Sequence, residues 1–593
     1  MISIFKKYVP AVLLGSMMAT SAPVSAQDIE EPLLADSLVQ LAYRRVAEAD
    51  LLGGSEKISI KDLMEKNHIN DLNSTTLKGY IPGFNGGSLW GADTDNGGVL
   101  ILIDGVIRDL NNIPPTEVES VTFMKGAQAV VLYGARAAKG AIFITTKRGQ
   151  QGDLRVNAHA STGWAVAKRM PEYLGATNYM LMYNQAQGNT PGGNPNYYSD
   201  EVIYNTATGA NPFRYPDVNL LSDDYVKHTY NRTDADVEIT GGNDRARFYT
   251  NISYYRFGDY LKAGEAKHNY TDRFGVRGNV DVKFSDHVTG YVNTAATFYG
   301  ARSAIGNYWE AVNTFRPNRV VPFIPVDMIN SSAADALQTV MNSNHIINGM
   351  FPGGNAANST NILGDYFFGG NQKFISRQFQ FDAGVNIDLS KVTKGLTFGA
   401  MYAIDYATSY YTNYKDEYAT FVPTWMNFNG KDEIVAITQE GLDKHSGIQN
   451  VENSSSRQTQ HFSAQFDYTR TWDALHNFHA MLVAAGWQRS QSGEYHKTSS
   501  ANLGLGIDYN YDHTYYAEFG SALVHSAKFA PGHRNGLSVS GTVGVNFANI
   551  GSLKDNGNVN NLMLSLSASR LKQDMDITGF YMYTANYEKE GWY

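Results

Sequence analysis

Beyond Leu154, apolar and polar residues alternate with a period of two over long stretches. Phe274, Val276, Gly278, Val280, Val282 and Phe284 lie on one face, and Arg273, Arg277, Asn279, Asp281 and Lys283 on the other. The same alternation runs through Phe379 to Leu389, Phe462 to Tyr468, Val539 to Phe547 and Leu562 to Ala568. This period predicts β-strands with one wet and one greasy face. Many of the strands reach ten residues or more, against about 5–6 in soluble sheets. Their polar faces carry full charges, which a water-filled lumen tolerates and a sandwich core does not. Long alternating strands with a charged inner face predict a transmembrane β-barrel. Aromatic residues gather near strand ends, as at Tyr254, Tyr255 and Phe257 or Tyr402, Tyr406, Tyr410 and Tyr411, where interfacial girdles belong. Connections are uneven: tight at Ser285-Asp286 and Asp473-Ala474, long from Pro171 to Tyr230, Ser303 to Asn371 and Asn413 to Ser454. Short turns on one side and long loops on the other fit a barrel spanning a membrane.

The region before Leu154 has a different rhythm. Val99 to Ile103 is a continuous apolar run that stops at Asp104-Gly105, a tight-turn pair. Pro114-Pro115-Thr116-Glu117 opens a short helical turn, Val118 to Lys125 reads as a strand, and a short helix from Gly126 ends at Gly134. Ala141 to Lys147 is the last strand of what predicts a small α+β globule. At the start of the chain, Lys6-Lys7, the apolar run from Val9 to Thr20 and Val24-Ser25-Ala26 form an export signal cleaved after Ala26.

Composition narrows the function. The 593 residues include 48 Lys and Arg against 57 Asp and Glu, a net charge of −9, which argues against a nucleic-acid partner. No cysteine is present, so disulfides, thiolate metal sites and cysteine nucleophiles are excluded. A mean hydropathy of −0.33 excludes a bundle of membrane helices but not a barrel. No Gly-x-Ser-x-Gly elbow, His-Glu-x-x-His or P-loop occurs, and the 14 histidines show no metal-ligand spacing. The sequence therefore points to no catalytic residue, no metal site and no cofactor.

Two runs carry a family resemblance. Leu102-Ile103-Asp104-Gly105, then Ile113-Pro114, Glu117 to Val121 and Met124-Lys125-Gly126-Ala127, resemble the plug of TonB-dependent outer-membrane receptors. The continuation from Leu132 through Gly149, with Tyr133, Gly134, Arg136, Lys139 and Gly140, resembles the SusC/RagA branch of that family. So do Ile239 to Asn243, Asp388 to Leu396 and Ala527 to Gly536 within the barrel. The resemblance implies an N-terminal α+β plug inside a 22-stranded antiparallel barrel of the outer membrane. It also implies energy from TonB with its ExbB/ExbD source, a SusD-like surface lipoprotein as lid, and import of a bulky nutrient, oligosaccharide first and peptide second. About fifteen strands are legible, so an incomplete barrel is expected, ending in a strand-like Thr578 to Tyr587. The division expected is signal peptide 1–26, periplasmic segment 27–56, plug 57–152 and partial barrel 153–593.

The expected sites follow. Leu38, Val39, Gln40, Leu41, Ala42 and Tyr43 form a TonB-box candidate, since an extended apolar segment adds a strand to a partner's sheet; a linker or the start of a helix is the competing reading. Asp104, Gly105, Lys125, Gly126, Tyr133, Gly134, Arg136 and Gly140 are the plug motif, with Arg136 and Lys139 either paired to acids of the wall or solvated. In the long loops Tyr308, Trp309 and Phe315 either stack on a ligand or pack the loop. Against active import stands a passive role, as a surface binding protein or a non-functional fragment of such a transporter.

Overall fold

The computed structural model describes residues 38–584 apart from short stretches, the longest being 61–71, 86–97, 190–196 and 355–360. The export signal lies outside the described residues.

A hairpin of β1 (Leu38–Leu41) and β2 (Arg44–Ala47) precedes the plug. The plug sheet contains β3 (Glu56–Ser59), β4 (Leu100–Ile103), β5 (Val106–Ile107), β6 (Val118–Met124) and β7 (Ala141–Thr146). Its order is β3-β6-β7-β4-β5, with β4 parallel to β7 and the other pairs antiparallel. Strands β6 and β7 are buried along most of both faces, which explains the apolar run Ala141 to Ile144 that opens β7. Ile103, Val121, Phe123, Ile142 and Ile144 form the core of this domain with Leu72, Leu77 and Ile81. The turn between β4 and β5 is made at Asp104 (φ 51°) and Gly105 (φ 87°), as the Asp-Gly pair predicts.

The wall is one antiparallel sheet. It begins with β8 (Gly152–Val166), β9 (Thr229–Gly242), β10 (Ala246–Phe257), β11 (Tyr270–Ser285) and β12 (Val288–Ala304). Two three-residue strands, β13 (Phe323–Pro325) and β14 (Met350–Pro352), pair with each other in the following loop. The wall resumes with β15 (Gly370–Asp388) and β16 (Leu396–Lys415). A separate hairpin, β17 (Thr420–Phe428) and β18 (Lys431–Glu440), stands apart from the wall. Then come β19 (Gln449–Trp472), β20 (His476–Gln491), β21 (Thr498–Tyr511), β22 (Tyr515–His525), β23 (Asn535–Asn546) and β24 (Met563–Arg570). The wall thus has thirteen strands among the described residues, not about fifteen, and β8 and β24 do not pair with each other. Part of the difference lies at residues 579–584, which form turns where a strand was expected. The β17–β18 hairpin lies within the connection expected from Asn413 to Ser454 and packs its apolar face in the loop layer.

The faces are inverted relative to a soluble protein. On β11, Phe274 and Val280 are exposed, whereas Arg273, Arg277 and Asn279 are buried. Phe298 on β12 and Phe379 and Phe381 on β15 are likewise exposed, against buried Asn293 and Asp382. Phe274, Phe298 and Phe379 touch in series across three strands of the outer surface, with ring centroids 6.2 and 6.0 Å apart. An apolar outer surface over a polar interior is the solution for a sheet that faces lipid.

Connections alternate in length. On one rim the chain turns tightly, with two successive left-handed residues at Asp473-Ala474 and at Asp512-His513. On the other rim lie the long excursions 167–228, 305–369 and 416–448. These loops share two cores of their own. Leu220, Leu261, Tyr308, Leu363 and Tyr366 form one; Ile324, Val340, Phe351, Phe421 and Ile434 form the other.

Plug and wall join through residues 147–151. A Cβ at Gly149 would fall 2.3 Å from the backbone nitrogen of Phe248 on β10. Backbone cannot yield as a flexible side chain does, so Gly149→Ala is expected to destabilise this junction by about 1–3 kcal/mol. The check is the temperature at which the plug loses protease resistance: it falls in the variant, while Gly163→Ala, which meets nothing within 4 Å on β8, leaves it in place.

Candidate functional site

The interface between plug and wall is built from short local structures that each deliver one charge. The β4–β5 turn is fastened to β7 by Asp104, whose carboxylate accepts from the Thr146 amide (2.9 Å) and hydroxyl (2.7 Å). The residue just past β5 is Arg108, and the fastened hairpin carries it to the wall. There its guanidinium meets Asp382 on β15 (2.7 Å) and Asp405 on β16 (2.8 Å). Asn293, the cross-strand neighbour of Asp382, donates to the second oxygen of that carboxylate. Burial opposes the Arg108 charge, but the two carboxylates outweigh it and raise its pKa above the ordinary arginine value.

A second charge comes from the short 3₁₀ turn Pro115–Glu117, which starts with proline at its first position. Glu117 accepts from Arg277 Nε (2.5 Å) and Asn251 Nδ2 (3.0 Å), and all three residues are buried. Asn251 and Arg277 are cross-strand partners on β10 and β11, so one register delivers both donors to the same carboxylate. Less buried contacts are Lys147 with Glu238 (2.6 Å), Arg148 with Asp281 (2.6 Å) and Asp109 with Arg457 (2.5 Å). Partly exposed pairs of this kind contribute less than buried ones. The buried pairs matter most for what happens when one partner is lost, because the other is then left charged and dry.

The plug motif falls at the same interface. Tyr133 is buried in a cluster that includes Met481 and Val483 of β20. Gly134 takes φ 73°, and a Cβ there would sit 3.1 Å from the side chain of Asn502 on β21, so both conformation and space favour glycine. Gly140 takes φ 98° and leads into β7. Arg136, expected to be either paired to an acid of the wall or solvated, has its guanidinium over Trp487 of β20, 4.1 Å from the ring centre. Burial and the neighbouring Arg489 push its pKa down. Lys139 has its ammonium buried with no hydrogen-bond partner among the described residues. Lys125 and Gly126 lie outside the described residues. The sequence signal missed Arg108, Glu117, Asp382, Asp405 and Arg277 as interface residues. The nearest clue was that strands β11 and β15 place charges on a face that alternation sends inward.

Residues 38–41 of the TonB-box candidate form β1, paired with β2 in the register Leu38 to Ala47 and Leu41 to Arg44; Ala42 and Tyr43 lie outside the described residues. Asp50, just after this hairpin, accepts from the Tyr516 hydroxyl and pairs with His513, both 2.8 Å away. That places the N-terminal segment on the short-turn rim.

On the long-loop side of the plug lies a cavity of about 590 Å³. Arg108, Asp109 and Arg136 from the plug, Arg489 from the wall, and Lys528 and Asp574 line it with charge. Higher up, a cavity of about 470 Å³ within the loop layer is lined by Phe315. Of the three loop aromatics, Tyr308 packs within the loop layer: it is 1% exposed and donates its hydroxyl to the Leu220 carbonyl (2.5 Å). Its position on the inner face of the helix Tyr308–Thr314 explains this, and Trp309, one residue on, faces outward at 39% exposure.

A small α+β plug seated against an antiparallel wall with an apolar outer face is the architecture of plugged outer-membrane barrels. The family model for the TonB-dependent Receptor Plug Domain matches residues 46–141. The chain is 24% identical over 328 residues to TonB-dependent receptor SusC of Bacteroides thetaiotaomicron, an alignment covering 47% of this chain and 30% of that protein. It is 22% identical over 308 residues to TonB-dependent receptor P26 of Formosa agariphila, covering 47% and 28%. In fold it is similar to the RagAB peptide importer in its open-open state, with a TM-score of 0.61 at 17% identity, covering 93% of this chain and 64% of that one. The alignments span less than a third of the length of these curated relatives. In its plug, its partial sequence match and its fold, the chain is similar to TonB-dependent receptors of the SusC/RagA type.

Replacing Arg108 tests the seat. Arg108→Ala leaves Asp382, 1% exposed at its side chain, without its countercharge, and should lower the opening free energy of the plug by about 3–5 kcal/mol. Hydrogen exchange of β4 and β5 amides reads this directly, and adding Asp382→Asn restores part of the loss.

Proposed function

We propose that this chain is the outer-membrane barrel of a TonB-driven importer of a bulky polar nutrient. The leading substrate class is an oligosaccharide and the second a peptide; a SusD-like lipoprotein caps the long-loop side. The SusC relative, a TonB-dependent receptor, supports the TonB drive, and the RagAB peptide importer supports peptide as the second class. The observation that carries the reading is the plug itself, seated across the lumen on buried charge pairs with its leading segment fastened to the short-turn rim.

Import then takes three steps. Ligand held by the long loops enters the charged cavity above the plug. TonB, energised by ExbB/ExbD from the periplasmic side, pairs with the extended segment 38–43 by main-chain hydrogen bonds, as an added strand does. Tension on that segment shifts the plug from its polar seat. The seat suits this task, because water entering the lumen solvates the charges that the plug leaves behind.

Removing residues 38–43 in the host separates active import from passive binding. Energised uptake of the cognate nutrient is expected to stop, while ligand binding by whole cells stays at its wild-type level. Uptake that continues after the deletion overturns the assignment of this segment, and loss of binding as well overturns the division between loops and N-terminal segment.

A further inference from the structure

The loop layer contains a group of side chains that nutrient import does not use. His345 follows the helix Ala334–Met341 in the excursion between β12 and β15. Asp416 is the first residue after β16, and His445 lies in the connection from β18 to β19. These three residues, far apart in the chain, each bring one ligand-type atom within 4.8 Å of the others.

The surroundings prepare one of them for a metal. His345 is 5% exposed, and its Nδ1 pairs with Asp443 at 2.7 Å. Asp443 is fixed in turn by the Ser343 hydroxyl and the Asn344 amide. A carboxylate on Nδ1 holds the proton on that nitrogen and leaves a lone pair on Nε2. His345 Nε2 is buried and has no hydrogen-bond partner among the described residues. An acceptor nitrogen kept dry and unpaired costs free energy unless something binds it. The ring is also held edge-on against Phe368, with centroids 5.4 Å apart.

The other two groups are placed by backbone. Glu417 and Lys444 exchange both main-chain hydrogen bonds (3.0 and 2.7 Å), which sets Asp416 beside His445. His445 Nδ1 lies 2.8 Å from Asp416 Oδ2. Ligand atoms about 2.0–2.2 Å from one ion lie at most about 4 Å apart, so closure needs a small contraction. His445 is the group able to make it, since its side chain is 68% exposed.

We propose that His345 Nε2, a carboxylate oxygen of Asp416 and a ring nitrogen of His445 bind one divalent transition-metal ion of the zinc class. Two imidazoles and a carboxylate are a borderline-ligand set that suits zinc over calcium or magnesium. The ion would cross-link excursion 305–369 to excursion 416–448. Its role is to fix the relative position of two loops that together roof the barrel, independently of the substrate.

The test uses the purified full chain in detergent micelles, stripped with a chelator and titrated with zinc by calorimetry. One zinc per chain is expected, and cobalt in its place gives a visible ligand-field spectrum. His445→Ala, a change at an exposed side chain that leaves the fold intact, is expected to weaken zinc binding at least tenfold. Asp443→Asn is expected to weaken it by about 10–100-fold without touching a ligand. Zinc should also slow tryptic cleavage at Lys444 in the wild type and not in His445→Ala. Equal zinc binding by wild type and His445→Ala, or no saturable binding by the wild type, overturns the site and leaves His445 and Asp416 as a simple ion pair.

Discussion

Arg108 and Glu117 are charges held out of water, and the position of the plug is set by where their countercharges stand. Each comes from a short local device, a β-turn in one case and a proline-led 3₁₀ turn in the other. Each meets a pair of groups whose spacing is fixed by strand register across the wall. A buried ion pair adds little over a well-packed apolar contact, but removing either half is costly. The arrangement therefore specifies one seat without making it adhesive. An apolar interface of similar extent would hold the plug by burial that water does not replace.

The same logic explains why the wall wears its polar residues inward. The lumen must accept a folded, partly polar domain and must be wettable when that domain moves. Asn251, Asn279 and Asn293 serve this purpose at closely related strand positions, each donating to a group at the interface. The loop layer follows the opposite rule. It has two apolar cores of its own, Tyr308 in one and Phe421 in the other, and behaves as a small domain resting on the barrel rim. Separating a soft seat below from a firm roof above lets one end move while the other stays shaped.

Much of this was legible in the sequence because it depends on neighbours along the chain. Alternation at Phe274 to Phe284 gives the two faces of β11, and Asp104-Gly105 marks the β4–β5 turn because Asp and Gly both accept the left-handed conformation. What was not legible depends on partners far away. Arg136 was expected either to pair with an acid or to stay solvated and lies over Trp487, because nothing local marks a charge aimed at a ring. Tyr308 and Trp309 are adjacent and equally aromatic, yet helix phase buries one and exposes the other. The connection from Asn413 to Ser454 was legible as a long excursion, but the β17–β18 hairpin inside it depends on packing partners elsewhere in the loop layer. The grouping of His345, Asp416 and His445 escapes any spacing rule, since it is assembled by three separate loop segments.

The order of strands in the plug sheet has a mechanical consequence. β3 is an edge strand of the plug sheet, and among the described residues it pairs with β6 alone, through four residue pairs starting at Glu56 and Phe123. A load arriving from the N-terminal direction breaks first the two contacts of Asp50 with the rim, then these pairs in succession from one end. Bonds that fail one at a time yield at lower force than bonds sheared together, so the sheet is built to unzip from its margin while β6 and β7 remain joined.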